Sequence, residues 1–353
     1  VLFGFGKPKN LVGLDIGSSA IKLVELKESK GSFSLEKMGI EYLSSEAIVD
    51  GAIMDAALVV DNINRLIGQT GVKNANFGTS VSGHSVIVKK ISLPAMTPEE
   101  LSESIQWEAE QYIPFDINDV NLDYVLLDRA GEGADTMDVL LVAVKKDKIN
   151  DYTSVISQTG RMPMLVDVDA FAVQNAFEVN YDIEPDRVVA LANLGASVTN
   201  VNILQGPSTI FWRDISIGGN QYTDAVQREL HLPREQAESL KKGEPTGEYT
   251  LQSILPILNS VSEDVANELG KTLDFFAATS NTERVSKLFI CGGCARVHNI
   301  EHVLHEKFGF DVEILNPFKN ISYNESEFNP ETISELAPAM TVAVGLASRK
   351  IGD

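Results

Sequence analysis

The chain predicts an α/β protein of two similar lobes, with a smaller α/β unit inserted in the first. Three observations carry this expectation. Apolar and alternating runs interleave with segments of helical spacing along the 353 residues. The stretch LVGLDIGSSAIKLVEL (11–26) returns as RVVALANLGASVTNVNIL (187–204). Asn193 then falls on Asp15, Gly195 on Gly17 and Ser197 on Ser19, an offset of 178 residues that points to duplication. Late in the chain an apolar strand runs into the pair Gly292-Gly293 ahead of a helix.

Composition bounds the function. With 44% hydrophobic residues the chain can bury cores for two domains. A formal net charge of -21 argues against broad binding to nucleic acid or anionic membranes, because the mean field repels phosphate. Any phosphate site is therefore local, built from backbone N–H groups and one or two lysines. No apolar run approaches the ~18 residues of a membrane span. The opening VLFGFGKPKN lacks the pattern of a secretory leader, which predicts a cytosolic chain. Phe3 and Phe5 within it read as a frayed or self-docked terminus. Two cysteines make no disulfide framework.

In order, 11–26 predicts a hairpin, with Asp15, Gly17, Ser18 and Ser19 at its tip and Lys22 on the return strand. Residues 32–40 read as a strand, and 54–70 as a helix stopped by Gly71. Strands follow at 76–82 and 85–93. Thr97-Pro98-Glu99-Glu100 is a helix start, with a Thr cap and a Glu able to reach back. That helix runs to about Ile113, packing through Leu101, Ile105, Trp107 and Tyr112, with its five glutamates on a solvated face. Strands at 120–127 and 137–145 flank the turn-rich 129–135, and a helix follows at 147–159. Residues 162–168 form a strand leading into a helix through Phe177.

In the second half the hairpin echo is followed by a strand at 209–217, and Gly218-Gly219 opens a helix at 221–230. Residues 233–242 are helical and set Glu238 and Lys241 on one face. Residues 251–279 form a long helix bent or broken near Pro256. A strand at 286–290, a helix at 297–308 and a strand at 311–315 precede an irregular stretch (316–337) and a small-residue helix at 338–350. The expected domains are 1–84 with 166–184 as the first lobe, 85–165 as the insertion, and 185–353 as the second lobe, whose final helix closes the cleft.

Turns of this kind offer backbone N–H groups as a concave anion site, and a nearby lysine supplies countercharge. Two such hairpins, each on its own lobe, followed by strand–Gly–Gly–helix, resemble the actin-like ATPase superfamily. The first phosphate motif corresponds to Asp15, Gly17, Ser18, Ser19 and Lys22. The second corresponds to Asn193, Gly195, Ala196, Ser197 and Thr199, with Gly218 and Gly219 after it. The adenosine motif corresponds to Gly292, Gly293, Ala295 and Arg296, flanked by Glu238 and Lys241. The resemblance implies an ATP–Mg2+ cleft in which Asp15 holds magnesium through water and Asp167 orients the attacking water. Within the superfamily, ISLPAMTPEEL (91–101), WEAEQYIPF (107–115), LDYVLL (122–127), VDVDAFAVQNAF (166–177) and LNPF (315–318) resemble the PilM family of type IV pilus assembly proteins, relatives of the cell-division protein FtsA. This implies a cytoplasmic adaptor on the inner-membrane platform that captures the cytoplasmic tail of PilN, with its 1C-like insertion forming part of the tail groove. Other platform proteins and the assembly ATPases are further implied partners, and membrane association would run through them.

Asn193 departs from the superfamily pattern, which has aspartate there. An amide hydrogen-bonds hydration water without adding charge, so magnesium is held less firmly and slow or absent hydrolysis is expected. Two alternatives stay open: an FtsA-like filament former, and a sugar kinase using Asp167 or Asp169 as base. Cys291, Cys294, His298, His302 and His305 have a spacing compatible with zinc. The apolar strand before the cysteines favours small buried hydrophobes instead.

Overall fold

A computed structural model describes residues 10–128, 135–182, 184–280 and 284–351. Phe3, Phe5 and most of the turn at 129–135 lie outside them.

The first lobe is a five-stranded sheet of β1 (Val12–Ile16), β2 (Ala20–Ser29), β3 (Ser32–Tyr42), β6 (Asn76–Val81) and β10 (Met162–Val168). The second is a sheet of β11 (Val188–Leu194), β12 (Thr199–Gln205), β13 (Ser208–Ile215), β14 (Lys287–Cys291) and β15 (Asp311–Ile314). Their orders, β3-β2-β1-β6-β10 and β13-β12-β11-β14-β15, follow one plan: three antiparallel strands, then two added in parallel. Even the register repeats, with Asp15 opposite Lys22 and Asn193 opposite Asn200. The central strands β1 and β11 are buried at every position, as expected of strands covered on both faces. The duplication read from the sequence is thus a duplication of topology.

A two-residue hairpin of β4 (Ile48–Val49) and β5 (Ala52–Ile53) precedes α1 (Ala56–Thr70), which stops at Gly71 in the left-handed region. The insertion is a three-stranded sheet of β7 (Val86–Pro94), β8 (Val120–Asp128) and β9 (Thr136–Lys145), with β9 in the middle. One face is covered by α2 (Pro98–Glu110), whose Thr97–Glu100 capping box forms as expected. Its Leu101, Ile105 and Ala109 pack on Ile91, Val139 and Leu141.

Trp107 does not join them. It lies two residues past Ile105, about 200° around the helix, and is 77% exposed.

The insertion is also shorter than expected. It ends at Lys145, because α3 (Lys146–Gln158) places Tyr152, Val155 and Ile156 in the first-lobe core with Val59, Ile63 and Phe77. Residues 146–165 therefore belong to the first lobe.

The second lobe carries α5 (Gly219–Leu230), α6 (Arg234–Lys241), α7 (Leu251–Thr279) and α8 (Ile300–Phe308), packed into one core. Helix α7 continues through Pro256, near its start. A short 3-10 turn at Gly293–Arg296 delays α8, and α9 (Pro330–Leu336) occupies part of the stretch expected to be irregular. Asn329 caps α9 and Pro330 begins it.

Two helices join the lobes: α4 (Asp169–Asn180) and α10 (Thr341–Ser348). Their contact requires glycine, since a Cβ on Gly345 would sit 1.7 Å from the Ala172 carbonyl. Helix α10 also lies on β1, where a Cβ on Gly13 would meet the Ala343 carbonyl at 2.0 Å. The final helix, expected to belong to the second lobe and close the cleft, thus packs on the first lobe's sheet as well as on the second lobe. Ala172, Phe177, Leu191, Phe289, Val342 and Leu346 form one core between the two sheets.

Candidate functional site

Both hairpin tips close with the same bond: Gly17 N–H donates to the Ala20 carbonyl at 3.1 Å and Gly195 N–H to the Val198 carbonyl at 3.0 Å. In the first hairpin the Lys22 ammonium donates to Asp15 Oδ2 at 3.0 Å, and both side chains are nearly buried. A Cβ on Gly17 would sit 2.9 Å from that ammonium, so the glycine keeps Lys22 at the turn. Burial raises the Asp15 carboxyl above its usual range; Lys22 opposes the shift and the Asp169 carboxylate adds to it. Ser18 is half-buried and Ser19 exposed.

The second hairpin repeats the geometry without the charges. Asn193 Nδ2 donates to Asn200 Oδ1 at 3.0 Å, in the register where the first hairpin has its ion pair. Gly219 N–H and Asn220 N–H donate to the carbonyls of Gly195 and Ala196, and Asn220 Nδ2 donates to Ser197 Oγ. Two N–H groups at the start of α5 are therefore spent on docking this helix to the hairpin. Gly218 is needed for that contact, because a Cβ there would meet the Gly195 carbonyl at 2.5 Å. Thr199 is fully buried and donates to the Ile217 carbonyl, which makes it a fastener of β12.

On the adenosine side, Gly292 has φ +86 and its Cβ would meet both Asn193 Oδ1 and the Leu194 carbonyl at 2.5 Å. Nothing stands within 4 Å of a Cβ on Gly293. Ala295 is buried, while Arg296 donates to the carbonyls of Ser334 and Glu335 and ties the turn to α9. Lys241 Nζ binds Glu238 Oε2 at 2.6 Å and also reaches the Gly219 carbonyl and Thr223 Oγ1. Burial alone would raise the Glu238 carboxyl; Lys241, Thr223 and Lys242 together outweigh it, and the net shift is downward. The second-lobe groups converge, with Gly292 against Asn193 and Gly219 beside Lys241 and Cys294. Asp15 lies within electrostatic reach of Cys291, which neighbours Asn193.

Asp167 is held by other groups. Its carboxylate accepts from its own neighbour Val168 N–H, from Asn175 Nδ2 and from Arg349 at 3.3 Å. Burial raises it and Arg349 opposes the shift. Asp169, at the first turn of α4, is the carboxylate whose field reaches Asp15, Lys148, Tyr152 and Asp214. The same face holds Lys148, only 8% exposed, whose ammonium donates to the Gly51 carbonyl beside the Tyr152 hydroxyl. Burial lowers the Lys148 pKa.

The cysteines and histidines do not converge. Cys291 and Cys294 are buried, and burial pushes both thiols up to about 12. His298, His302 and His305 are exposed. No group of three or more metal-ligating side chains occurs among the described residues.

The insertion meets the first lobe along one face of its sheet. The face of the insertion sheet opposite α2 meets the first lobe through Val86 and Val144. There the edge strands β8 and β10 come within electrostatic reach, Asp123 acting on Asp167, and Val125, Met162 and Met164 are exposed.

Sequence reasoning missed Asn200, Asp214 and Gly83, described below. Asn200 was findable, since it falls on Lys22 at the repeat offset.

Two sheets of one topology, each presenting a glycine turn to a shared cleft and joined by two crossing helices, define an actin-like ATPase fold. Over residues 13–351 the chain matches the family described as type IV pilus assembly protein PilM, and it belongs to that family. A solved structure described as a PilM–PilN type IV pilus biogenesis complex is similar at 26% identity and TM-score 0.87, covering 97% of this chain and 98% of its own. The ethanolamine utilization protein EutJ from Carboxydothermus hydrogenoformans shares the fold at 14% identity and TM-score 0.59, over 97% of this chain and 90% of its own. MreB 5 of Spiroplasma citri bound to AMPPNP shares it at 12% identity and TM-score 0.50, over 96% and 95% of the respective chains. Among the described residues no helix is long and apolar enough to cross a membrane.

Proposed function

We propose that the chain is a nucleotide-dependent adaptor of the type IV pilus inner-membrane platform, acting at its cytoplasmic face and binding the cytoplasmic N-terminal tail of PilN. The observation that carries this reading is the full-length likeness to the PilM–PilN complex, insertion included. The pair of edges formed by β8 and β10 suits an extended peptide. It combines exposed apolar side chains with two strand edges whose backbone groups lack a strand partner on one side. Other platform proteins and the assembly ATPases are further proposed partners.

In this reading ATP occupies the cleft between the lobes. The residues fit a nucleotide: Gly293 leaves open space, Gly292 lets the adenosine-side turn dock on the second hairpin, and Lys22 offers a cation at the first turn. Lys22, Gly17, Ser18 and the Gly195–Ser197 turn would hold the phosphates, and Glu238 and Lys241 would flank the adenosine. The fit to magnesium is poorer. Asp15 is engaged by Lys22, and Asn193 brings no charge and is engaged by Asn200. Magnesium, held through water at Asp15, would neutralise phosphate charge, and Asp169, rather than the Arg349-bound Asp167, would orient the attacking water. Slow or absent hydrolysis follows, so ATP sets the lobes rather than driving a cycle.

A pull-down of the full chain against the cytoplasmic segments of inner-membrane pilus proteins, with and without ATP, tests the reading. Retention of the PilN tail supports it, and loss of every platform segment in both conditions refutes it. Sedimentation with ATP separates the filament alternative, which predicts polymers.

A further inference from the structure

One polar chain crosses from the second hairpin to the first lobe. Asn193 Nδ2 donates to Asn200 Oδ1 at 3.0 Å. Asn200 Nδ2 in turn donates to Asp214 Oδ1 at 2.6 Å. The other oxygen of Asp214, on β13, accepts the backbone N–H of Gly83 at 2.6 Å. Gly83 lies in the short segment between β6 of the first lobe and β7, the first strand of the insertion, with φ +85. The contact is reinforced by Ser216 Oγ, 3.4 Å from His84 Nε2, and by Trp212 packed against the first-lobe core.

The first hairpin has no such relay. Its ion pair is closed on itself, whereas the amide pair passes its polarity on, because an amide both donates and accepts. We infer that Asp214 is a positioning residue that couples the occupancy of the cleft at Asn193 to the 82–85 segment, and through it to the insertion. A ligand oxygen or hydration water that recruits the Asn193 amide withdraws a donor from Asn200. Asn200 is then free to rotate, and Asp214, losing an oriented donor, holds Gly83 less firmly. The inference rests on the nucleotide-cleft reading and adds a route from that cleft to the partner groove. Burial supports the cost of breaking the relay: it pushes the Asp214 carboxyl up to about 6 even with Asn200 and Gly83 donating to it.

Amide hydrogen exchange of residues 82–85 in the full chain tests this, with AMPPNP and magnesium as the probe and binding followed separately by calorimetry. In the wild type, saturation with AMPPNP is expected to change exchange at Gly83 and His84 at least fivefold. In Asn200→Ala, calorimetry still shows nucleotide binding but the change falls below twofold. Asp214→Asn, which carries an amide where Gly83 donates, is expected to raise Gly83 exchange without nucleotide. Should Asp214→Asn fail to fold, Asn200→Ala carries the test alone. A nucleotide response in Asn200→Ala equal to wild type overturns the inference, as does bound nucleotide that leaves 82–85 unchanged in the wild type. Absence of any calorimetric binding overturns the cleft reading and the relay's input with it, and is distinguishable on that ground.

Discussion

Converting the first hairpin into a copy of the second separates what its ion pair does for the fold from what it does for a ligand. Lys22→Asn removes the ammonium from Asp15, leaving a carboxylate that is 8% exposed with an amide at best. Breaking a buried pair from one side costs about 3–5 kcal/mol. With both side chains slightly exposed and an amide in reach, the lower end, about 3 kcal/mol, is expected. Adding Asp15→Asn removes the stranded charge and recreates the Asn193–Asn200 arrangement in the same register. The double variant should therefore recover to within about 1 kcal/mol of wild type, the net worth of an ordinary hydrogen bond. Urea unfolding at pH 7, followed by tryptophan fluorescence, reads both values from the midpoint shifts. Calorimetric titration with ATP then reads function: the double variant folds and no longer binds nucleotide. The reasoning is refuted if the double variant is as unstable as Lys22→Asn, or if it binds ATP as tightly as wild type.

Asn193→Asp supplies the carboxylate missing from the second hairpin, and steady-state phosphate release should rise above a near-zero wild-type rate; an unchanged rate would show that Asn193 is not the limiting feature. The Asp214 carboxyl is raised to about 6 by burial, with Asp169 adding to the shift and Asn200, Gly83 and His84 opposing it. A raised carboxylate binds its proton more tightly in the folded state, so its cost is absent below about pH 4, grows through pH 6 and is complete at pH 7, about 2–3 kcal/mol. Subtracting the stability–pH curve of Asp214→Asn from that of wild type isolates this slope, and parallel curves would contradict it. Cys291 and Cys294, with thiols pushed up to about 12, should resist iodoacetamide at pH 8 in the native protein and react after unfolding, with a chelator leaving Tm unchanged.

Much of the architecture is legible because it is periodic. The glycine turns, the strand alternation and the repeat offset identify both lobes, since a duplicated sheet must repeat the residues that close its hairpins. What the sequence does not carry is where a chain segment docks. Helix α3 follows the insertion without a break in composition, and only its packing on Phe77 assigns it to the first lobe. Trp107 reads as core from its size, yet its angular position puts it outside. Asp167 and Asp169 are indistinguishable as VDVD in the sequence. In the structure the strand carries Asp167 to Arg349, and the turn into α4 carries Asp169 toward Asp15. Asp214 has no local signature at all, because its partners come from β12 and from a loop 131 positions away.

Fluorescence-anisotropy titration of a labelled PilN tail peptide against the full chain tests the central claim most directly, with Met164→Glu on the exposed edge strand β10, in the proposed groove, as the comparison. Saturable binding of one peptide per chain, weakened at least tenfold by Met164→Glu in a protein that keeps its wild-type unfolding midpoint, is the predicted result. No binding by the wild type, or binding indifferent to the groove substitution, would contradict the account.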